Sequence, residues 1–405
     1  MNRAKISALA AVCLLFGAVC ATAGQKIVTF DPSYPIPARI LGIESLGGEV
    51  KKDLHLINAL AASFPDEIKV SDIYSLRGVR IVEDDLSFKW IEEVPTGLPL
   101  AYVSGGVIRL KTGEQTPGPE IPPAPAPHAA AGDTEIPWGV KRVNAAGVWK
   151  TSAGEGIKVA VIDTGMDYTH PDLAANYAGG YNAITPGAEP LDDQGHGTHV
   201  AGTIGAVRNA KGVAGVAPEV SLYAVKVLNS GGTGAYSDIV DGIQWAVDNK
   251  MQVINMSIGD GGHTQAMASA VKAADKAGIA IVCAAGNDSG AVNYPARYPE
   301  SIAVSASNSS DKLAYFSSRG PEIAFIAPGT DIKSTYKGGK YTTLDGTSMA
   351  SPHVAGLAAL AVALGADTPA KVRAALKKAA SSLKLKPAEE GAGMIDAAKL
   401  LNDLK

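Results

Sequence analysis

From about residue 133 to residue 405 the chain alternates short apolar runs with longer stretches of helical spacing. The runs fall at 159–162, 222–227, 253–256 and 279–283, and the separators include 236–248 and 264–277. Runs that stay apolar on every residue, divided by helix-length segments, predict an α/β fold. Its sheet is mostly parallel, doubly wound and covered by helices on both faces. Reactive groups in such a fold gather at the carboxyl ends of the strands. Apolar residues make up 46% and charged residues 19%, enough to bury that core and too apolar for a disordered chain. Lys plus Arg is 36 against 40 Asp plus Glu, a net charge of −4, so no basic excess exists to neutralise a phosphate backbone.

The part before residue 133 divides in three. Residues 1–23 have the pattern of an export signal: Arg3 and Lys5, an apolar run over 6–20, then Ala21, Thr22 and Ala23. The run is shorter than the roughly 20 residues a membrane span needs, so secretion is expected rather than anchoring, with a periplasmic destination left open. Residues 24–90 predict a small α+β unit, with strands at 26–30, 68–71 and 79–82 and a helix over 54–64. In the linker, 91–132, six of the eleven residues from Pro117 to Pro127 are proline, which favours an extended spacer. The cysteines are Cys13, Cys20 and Cys283; without the first 23 residues a single thiol is left and no intrachain disulfide can form.

Three segments carry chemistry. Asp163 closes the apolar run at 159–162. His196 and His199 stand in a glycine-flanked segment at a predicted helix start. Ser348 follows Gly346 and Thr347 at the head of a long apolar helix. Singly, Asp163 could be a strand-end cap or metal ligand, His196 and His199 a metal pair at i, i+3, and Ser348 a helix cap. Together they meet a specific need. A serine hydroxyl is a weak nucleophile until a base takes its proton, and the base needs a carboxylate to fix its tautomer. His199 and His353 are expected to be structural, and Cys283 a buried small hydrophobe.

These segments resemble the subtilisin-like serine proteases, the subtilases. So do Val216 to Pro218, Leu222 to Leu228, Asn255 to Gly259, Ala284 to Asn287 and Gly393 to Asp396, in the same order along residues 134–399. The resemblance implies a secreted serine endopeptidase. Asp163 would orient His196, His196 would be general base to the nucleophile Ser348, and Asn287 would supply an oxyanion donor. An extended peptide substrate would lie along Gly231, Gly232, Thr233 and Gly234 on one side and Ser257, Ile258 and Gly259 on the other. Ala284, Ala285 and Gly286 would form the facing wall of the primary pocket, closed near Asn293, with Asp260 at its rim. A structural calcium ion would be held by Asp172, Asn209 and the carbonyls of Val207, Lys211 and Val213. The family's N-terminal ligand falls at Asp133 or Thr134, neither of which is the usual glutamine. Residues 24–90 resemble the family's inhibitory, ferredoxin-like prodomain, with 57–65 as its helix and 80–84 as its last strand. The zymogen would then mature by autoprocessing, with Trp90 in the apolar pocket and the first cut at the Trp90–Ile91 bond. Partners are limited to protein or peptide substrates and this intramolecular inhibitor, with no nucleic acid and no stable membrane anchor, and the enzyme is expected to be monomeric. A catalytically silent scaffold and a peptide ligase are the competing readings on the same fold.

Overall fold

A computed structural model describes residues 24–91, 134–259 and 262–403. The expected export signal, nearly all of the linker, Asp133 and Asp260 lie outside the described residues.

The N-terminal unit contains β1 (Gln25–Phe30), α1 (Ile36–Ser45), β2 (Glu49–Leu54), β3 (Ala59–Ser63), α2 (Val70–Tyr74) and β4 (Val79–Asp84). Its four strands form an antiparallel sheet in the order β2-β3-β1-β4. The helix expected over 54–64 is not there. Leu54 ends β2, a 3-10 turn spans His55–Ile57, and Asn58 at φ 56° turns the chain into β3. The sequence misleads because β3 is covered on both faces. Leu60 and Ala62 pack with Val28, Ile43 and Ile73 inside the unit, while Ala59 and Ala61 join Ile27, Leu54 and Ile57 against the large domain. Two buried faces erase the alternation that marks a strand. The strand expected at 68–71 is instead the start of α2, where the Asp72 carboxylate accepts the Lys69 N–H at 2.9 Å. A short β5 (Ser87–Lys89) follows β4.

The large domain begins with α3 (Trp138–Arg142), then β6 (Lys158–Asp163), β7 (Tyr177–Asn182), α4 (His196–Gly205), β8 (Ser221–Lys226), β9 (Thr233–Ala235) and α5 (Tyr236–Asp248). It continues with β10 (Val253–Met256), α6 (Gln265–Lys276), β11 (Ala280–Ala284), β12 (Ser301–Ser307), β13 (Ile323–Pro328), β14 (Ile332–Tyr336), β15 (Lys340–Leu344) and α7 (Thr347–Ala363). Helices over Pro369–Ala379, Pro387–Glu390 and Leu400–Asp403 and two short strands, β16 (Ala380–Ser381) and β17 (Met394–Ile395), complete it. Nine strands form one sheet in the order β16-β17-β13-β12-β11-β10-β6-β8-β7, parallel throughout except β16 against β17. Every residue of β10, β11 and β12 is buried; β10 and β11 read as apolar runs, broken only by Asn255, whereas the three serines of β12 hide it from that pattern. Strand order reverses between β10 and β6, and a crevice opens outside their carboxyl ends.

α7 runs through the core on one side of the sheet, with all its residues from Thr347 to Ala361 buried. The opposite face carries α5 and α6, and the N-terminal unit lies across these two helices. Its Glu83 carboxylate accepts the first amides of α6, from Gln265 at 2.6 Å and Ala266 at 2.9 Å. Buried Asp85 accepts the Ser237 N–H of α5 at 2.9 Å, and burial raises its carboxyl above the usual range. Both carboxylates meet the positive ends of helices.

Candidate active site

Asp163, the last residue of β6, is fully buried. Its Oδ1 accepts the Thr164 N–H at 2.7 Å and the His196 Nδ1–H at 2.8 Å, with Oδ2 3.0 Å from the same nitrogen. The imidazole is thereby held as the tautomer protonated on Nδ1, which leaves Nε2 to act as base. The approach of α4 depends on glycine: a Cβ on Gly197 would fall 2.2 Å from the Gly165 carbonyl oxygen, and Gly195 before the helix sits at φ 116°.

A second carboxylate, not foreseen in the sequence, organises this corner. Asp192 accepts from Thr164 Oγ1, the Gln194 and Gly195 amides, and both the amide and hydroxyl of Thr198, all within 2.6–2.9 Å. Next to it Asp193 pairs with the almost buried Lys226 at 2.7 Å, whose ammonium also donates to the carbonyls of Thr164 and Leu228. Acidic residues four and three places before a glycine-bracketed histidine are the available signal.

Ser348 lies in the first turn of α7, which packs on α4. Its hydroxyl donates to the Ser257 carbonyl at 3.0 Å, and the Ser257 hydroxyl donates to the Ser348 carbonyl at 2.8 Å. This reciprocal pair ties the head of α7 to the segment after β10. Asn287 stands beside it. Its Oδ1 accepts both the Thr347 N–H and the Thr347 hydroxyl at 2.9 Å, which directs the Nδ2 amide away from Thr347. A point at the position of a Gly346 Cβ lies 3.5 Å from the Ser348 amide nitrogen and 3.6 Å from Asn287 Nδ2. Two N–H groups thus flank one small space at a helix N-terminus, as an oxyanion requires. Thr347 is a further residue the sequence did not reveal.

The segments expected to bind peptide are gathered at the same place, and residues 87–90 lie on one of them. β5 pairs antiparallel with β9, Lys89 opposite Thr233 and Phe88 opposite Gly234. Trp90 extends the pairing, donating its N–H to the Gly232 carbonyl at 2.9 Å and accepting the Gly259 N–H at 3.1 Å. Gly231 lies in the preceding turn, bonded to Asn229 Oδ1. Ile258 and Ala285 are buried in the walls. Gly259, Ala284, Gly286, Asn287 and Ser348 line a cavity that Trp90 borders. The indole does not fill that cavity as expected. It donates to the Gly234 carbonyl at 2.8 Å and stands edge-on to Tyr236 with ring centres 5.3 Å apart. An indole N–H seeks a buried acceptor, and the Gly234 carbonyl provides one.

His199 donates Nε2–H to the Ile332 carbonyl and His353 bonds the Met349 carbonyl through Nδ1. Burial lowers their pKa values to about 3 and about 4, so both stay neutral; His196 nearby contributes further at His199. Among the described residues, no three His, Cys, Asp or Glu side chains are grouped to hold a metal ion. That leaves the His196–His199 metal pair without a further ligand of these types. Burial also pushes the Cys283 thiol up to about 12, so it is inert as a nucleophile.

At the loop over 207–213, buried Asp172 accepts from Asn209 Nδ2 at 2.9 Å, the Val213 N–H at 2.9 Å and the Tyr341 hydroxyl at 2.8 Å. Thr134 reaches this loop by accepting the Ala210 N–H, and Asn209 Oδ1 accepts the Lys211 N–H.

A doubly wound parallel sheet with a carboxylate–imidazole pair at its switch point and a serine-headed helix beside it defines a serine hydrolase. Residues 154–394 match the model of the subtilase family. The chain is 41% identical to subtilisin E of Bacillus subtilis over 349 residues, covering 84% of this chain and 80% of that protein. It is 46% identical to a subtilisin of Bacillus pumilus over 256 residues, 61% of this chain and 92% of that one. With the thermostable alkaline protease of Halalkalibacterium halodurans it shares 48% identity over 227 residues, 56% of this chain and 62% of the relative. The chain belongs to the subtilase family and is a serine endopeptidase.

Proposed function

We propose that this endopeptidase is exported as a precursor, cuts itself free of residues 24–91, and hydrolyses protein substrates through an acyl-enzyme on Ser348. The observation that carries this reading is the antiparallel pairing of β5 with β9, which delivers the chain's own tail to the cavity beside Ser348. A substrate would be held in the same way, by main-chain bonds to Thr233, Gly234 and Gly259. Rotation about the Cα–Cβ bond turns the Ser348 hydroxyl from Ser257 to His196. His196 Nε2 takes its proton as Oγ attacks the scissile carbonyl. Asn287 Nδ2 and the Ser348 N–H hold the oxyanion, and the same proton passes from His196 to the leaving amine. Water then repeats the sequence on the acyl-enzyme, releasing the acid and restoring Ser348. Asp163 keeps the imidazole turned and stabilises its cationic form.

Because the Trp90 indole lies on Gly234 and Tyr236, the side chain that enters the primary pocket must come from beyond it. This moves the proposed first cut from the Trp90–Ile91 bond to the Ile91–Glu92 bond. The 84% coverage by subtilisin E exceeds the segment from residue 134 onward, and so supports a prodomain reading of the N-terminal unit.

Calcium at the 207–213 loop is proposed on the chemistry of Asp172. That carboxylate is fully buried, its contacts are neutral donors, and no ion pair involves it among the described residues. A buried anion without a counter-charge is costly. Val207, Lys211 and Val213 would offer main-chain oxygens, and a half-turn of the Asn209 carboxamide would present Oδ1, the hard-oxygen set calcium takes. The ion would neutralise charge and brace the loop.

Intact-mass and casein-hydrolysis measurements on the full chain and its Ser348→Ala variant test the reading. The wild type is expected to lose its N-terminal unit at Ile91–Glu92 and gain activity, while Ser348→Ala stays uncut and inactive. Processing of purified Ser348→Ala at the same bond would refute self-cleavage. An unchanged melting temperature after chelation and calcium replacement would refute the ion.

A further inference from the structure

The N-terminal unit sends one lysine into the large domain. Lys52 follows a bulge in β2, on the face that also carries Leu54 towards α5. Its ammonium meets three oxygens: Asp238 Oδ1 at 2.8 Å, Asp241 Oδ2 at 3.2 Å and the Ala183 carbonyl. An ammonium has three N–H donors, and each has an acceptor here. The three side chains are 14%, 16% and 11% exposed, so the group is largely withdrawn from water. Both ion pairs of Lys52 cross to the large domain. The pocket is braced without it: Tyr181 donates to Asp241 Oδ2 at 2.9 Å, and Asp238 Oδ2 accepts the Ala235 N–H at 2.9 Å.

We propose that Asp238, Asp241 and the Ala183 carbonyl form a recognition pocket for a lysine ammonium, distinct from the peptide cleft, which anchors the N-terminal unit by charge after the tail has been cut. The inference rests on reading residues 24–90 as an inhibitory prodomain. Asp238 and Asp241 are three residues apart on one helix and face the same side, so without a cation between them they repel. Lys52 relieves that repulsion only while the unit is docked. Its site lies in β2, away from the tail, so cleavage after residue 91 leaves it intact. Nearby Gln244 adds neutral contacts, accepting the Leu56 N–H and donating to the Asp53 carbonyl, both at 2.9 Å. Those contacts fix where β2 lies; the charge decides which side chain is accepted at position 52.

The test follows the full-length enzyme after self-cleavage, measuring the lag before casein hydrolysis begins, at low and high sodium chloride. Salt should shorten the wild-type lag by screening the pair. Lys52→Met, which leaves two carboxylates facing each other, should shorten the lag at least about tenfold and remove most of its salt dependence. Asp241→Asn, made wholly on the large domain, should shorten it less. The exchange Lys52→Asp with Asp241→Lys should recover lag relative to Lys52→Asp alone, a recovery that misfolding cannot produce. A Lys52→Met lag and salt response equal to wild type, or no recovery in the exchange, overturns the pocket while leaving the prodomain reading standing. A wild type with no lag and no retained fragment overturns the prodomain reading itself.

Discussion

Replacing Thr347 by valine tests whether Asn287 owes its aim to a neighbour. The substitution keeps shape and removes only the hydroxyl, which makes two contacts. It donates to Asn287 Oδ1 at 2.9 Å and accepts the buried Gly286 N–H at 3.1 Å. Asn287 keeps the Thr347 main-chain N–H at 2.9 Å, so its carboxamide stays tethered at one point and gains freedom to swing. Losing one of two orienting bonds on a charge-stabilising donor should raise the barrier by about 1–2 kcal/mol, or roughly 5–30-fold in kcat. The orphaned Gly286 amide should destabilise the fold by about 1–3 kcal/mol in addition. The interaction matters most when negative charge has developed, so kcat should fall with KM nearly constant. The assay is steady-state hydrolysis of a peptide anilide by enzyme titrated for active sites, which separates turnover from the folded fraction. Thr347→Ser should restore most of the loss. A valine variant with unchanged kcat, or one altered only in KM, refutes the assignment.

Trp90→Ala removes an indole that is 2% exposed, its bond to Gly234 and its contact with Tyr236. Tail docking should weaken by about 3–5 kcal/mol, and self-cleavage of the full chain, followed by gel, should slow accordingly. His199 and His353 are neutral when folded, with pKa values of about 3 and about 4, but take up protons near 6.5 when unfolded. Their contribution is fully present above pH 6.5 and is lost as pH falls towards 4, by up to about 1.4 kcal/mol per pH unit for each histidine. Urea midpoints of the Ser348→Ala protein should drop across that window, and a flat profile between pH 6.5 and 5 would contradict it. Gly212→Ala forces a Cβ to within 1.9 Å of Asp172 Oδ2 at φ 54°, so the melting temperature should fall by an amount equivalent to at least about 2 kcal/mol.

The sheet is legible because the middles of β6, β10 and β11 are buried on both faces and, Asn255 aside, apolar, while each leads into a residue or segment with chemistry. Asp163 could be read from the sequence for that reason, as could the glycine-bracketed His196. β3 is illegible although it too is buried on both faces: its alanines are small enough for a helix, and only the large domain beneath explains the burial of Ala59 and Ala61. Thr347, Asp192 and Lys226 escaped notice because each acts by holding another residue, and such a role is set by distances between elements far apart in the chain. The sequence marks Trp90 as important but not where its ring lies, on Gly234 and Tyr236. A large apolar ring suggests an apolar pocket, whereas its N–H selects whichever buried carbonyl is near.

Cys283 sits next to the end of β11, wholly enclosed and without a partner thiol among the described residues. A sulfur in that position is a natural clock for breathing of the sheet. Alkylating reagents can reach it only when the middle strands part, so the pace of labelling in the Ser348→Ala protein would time how often the molecule opens.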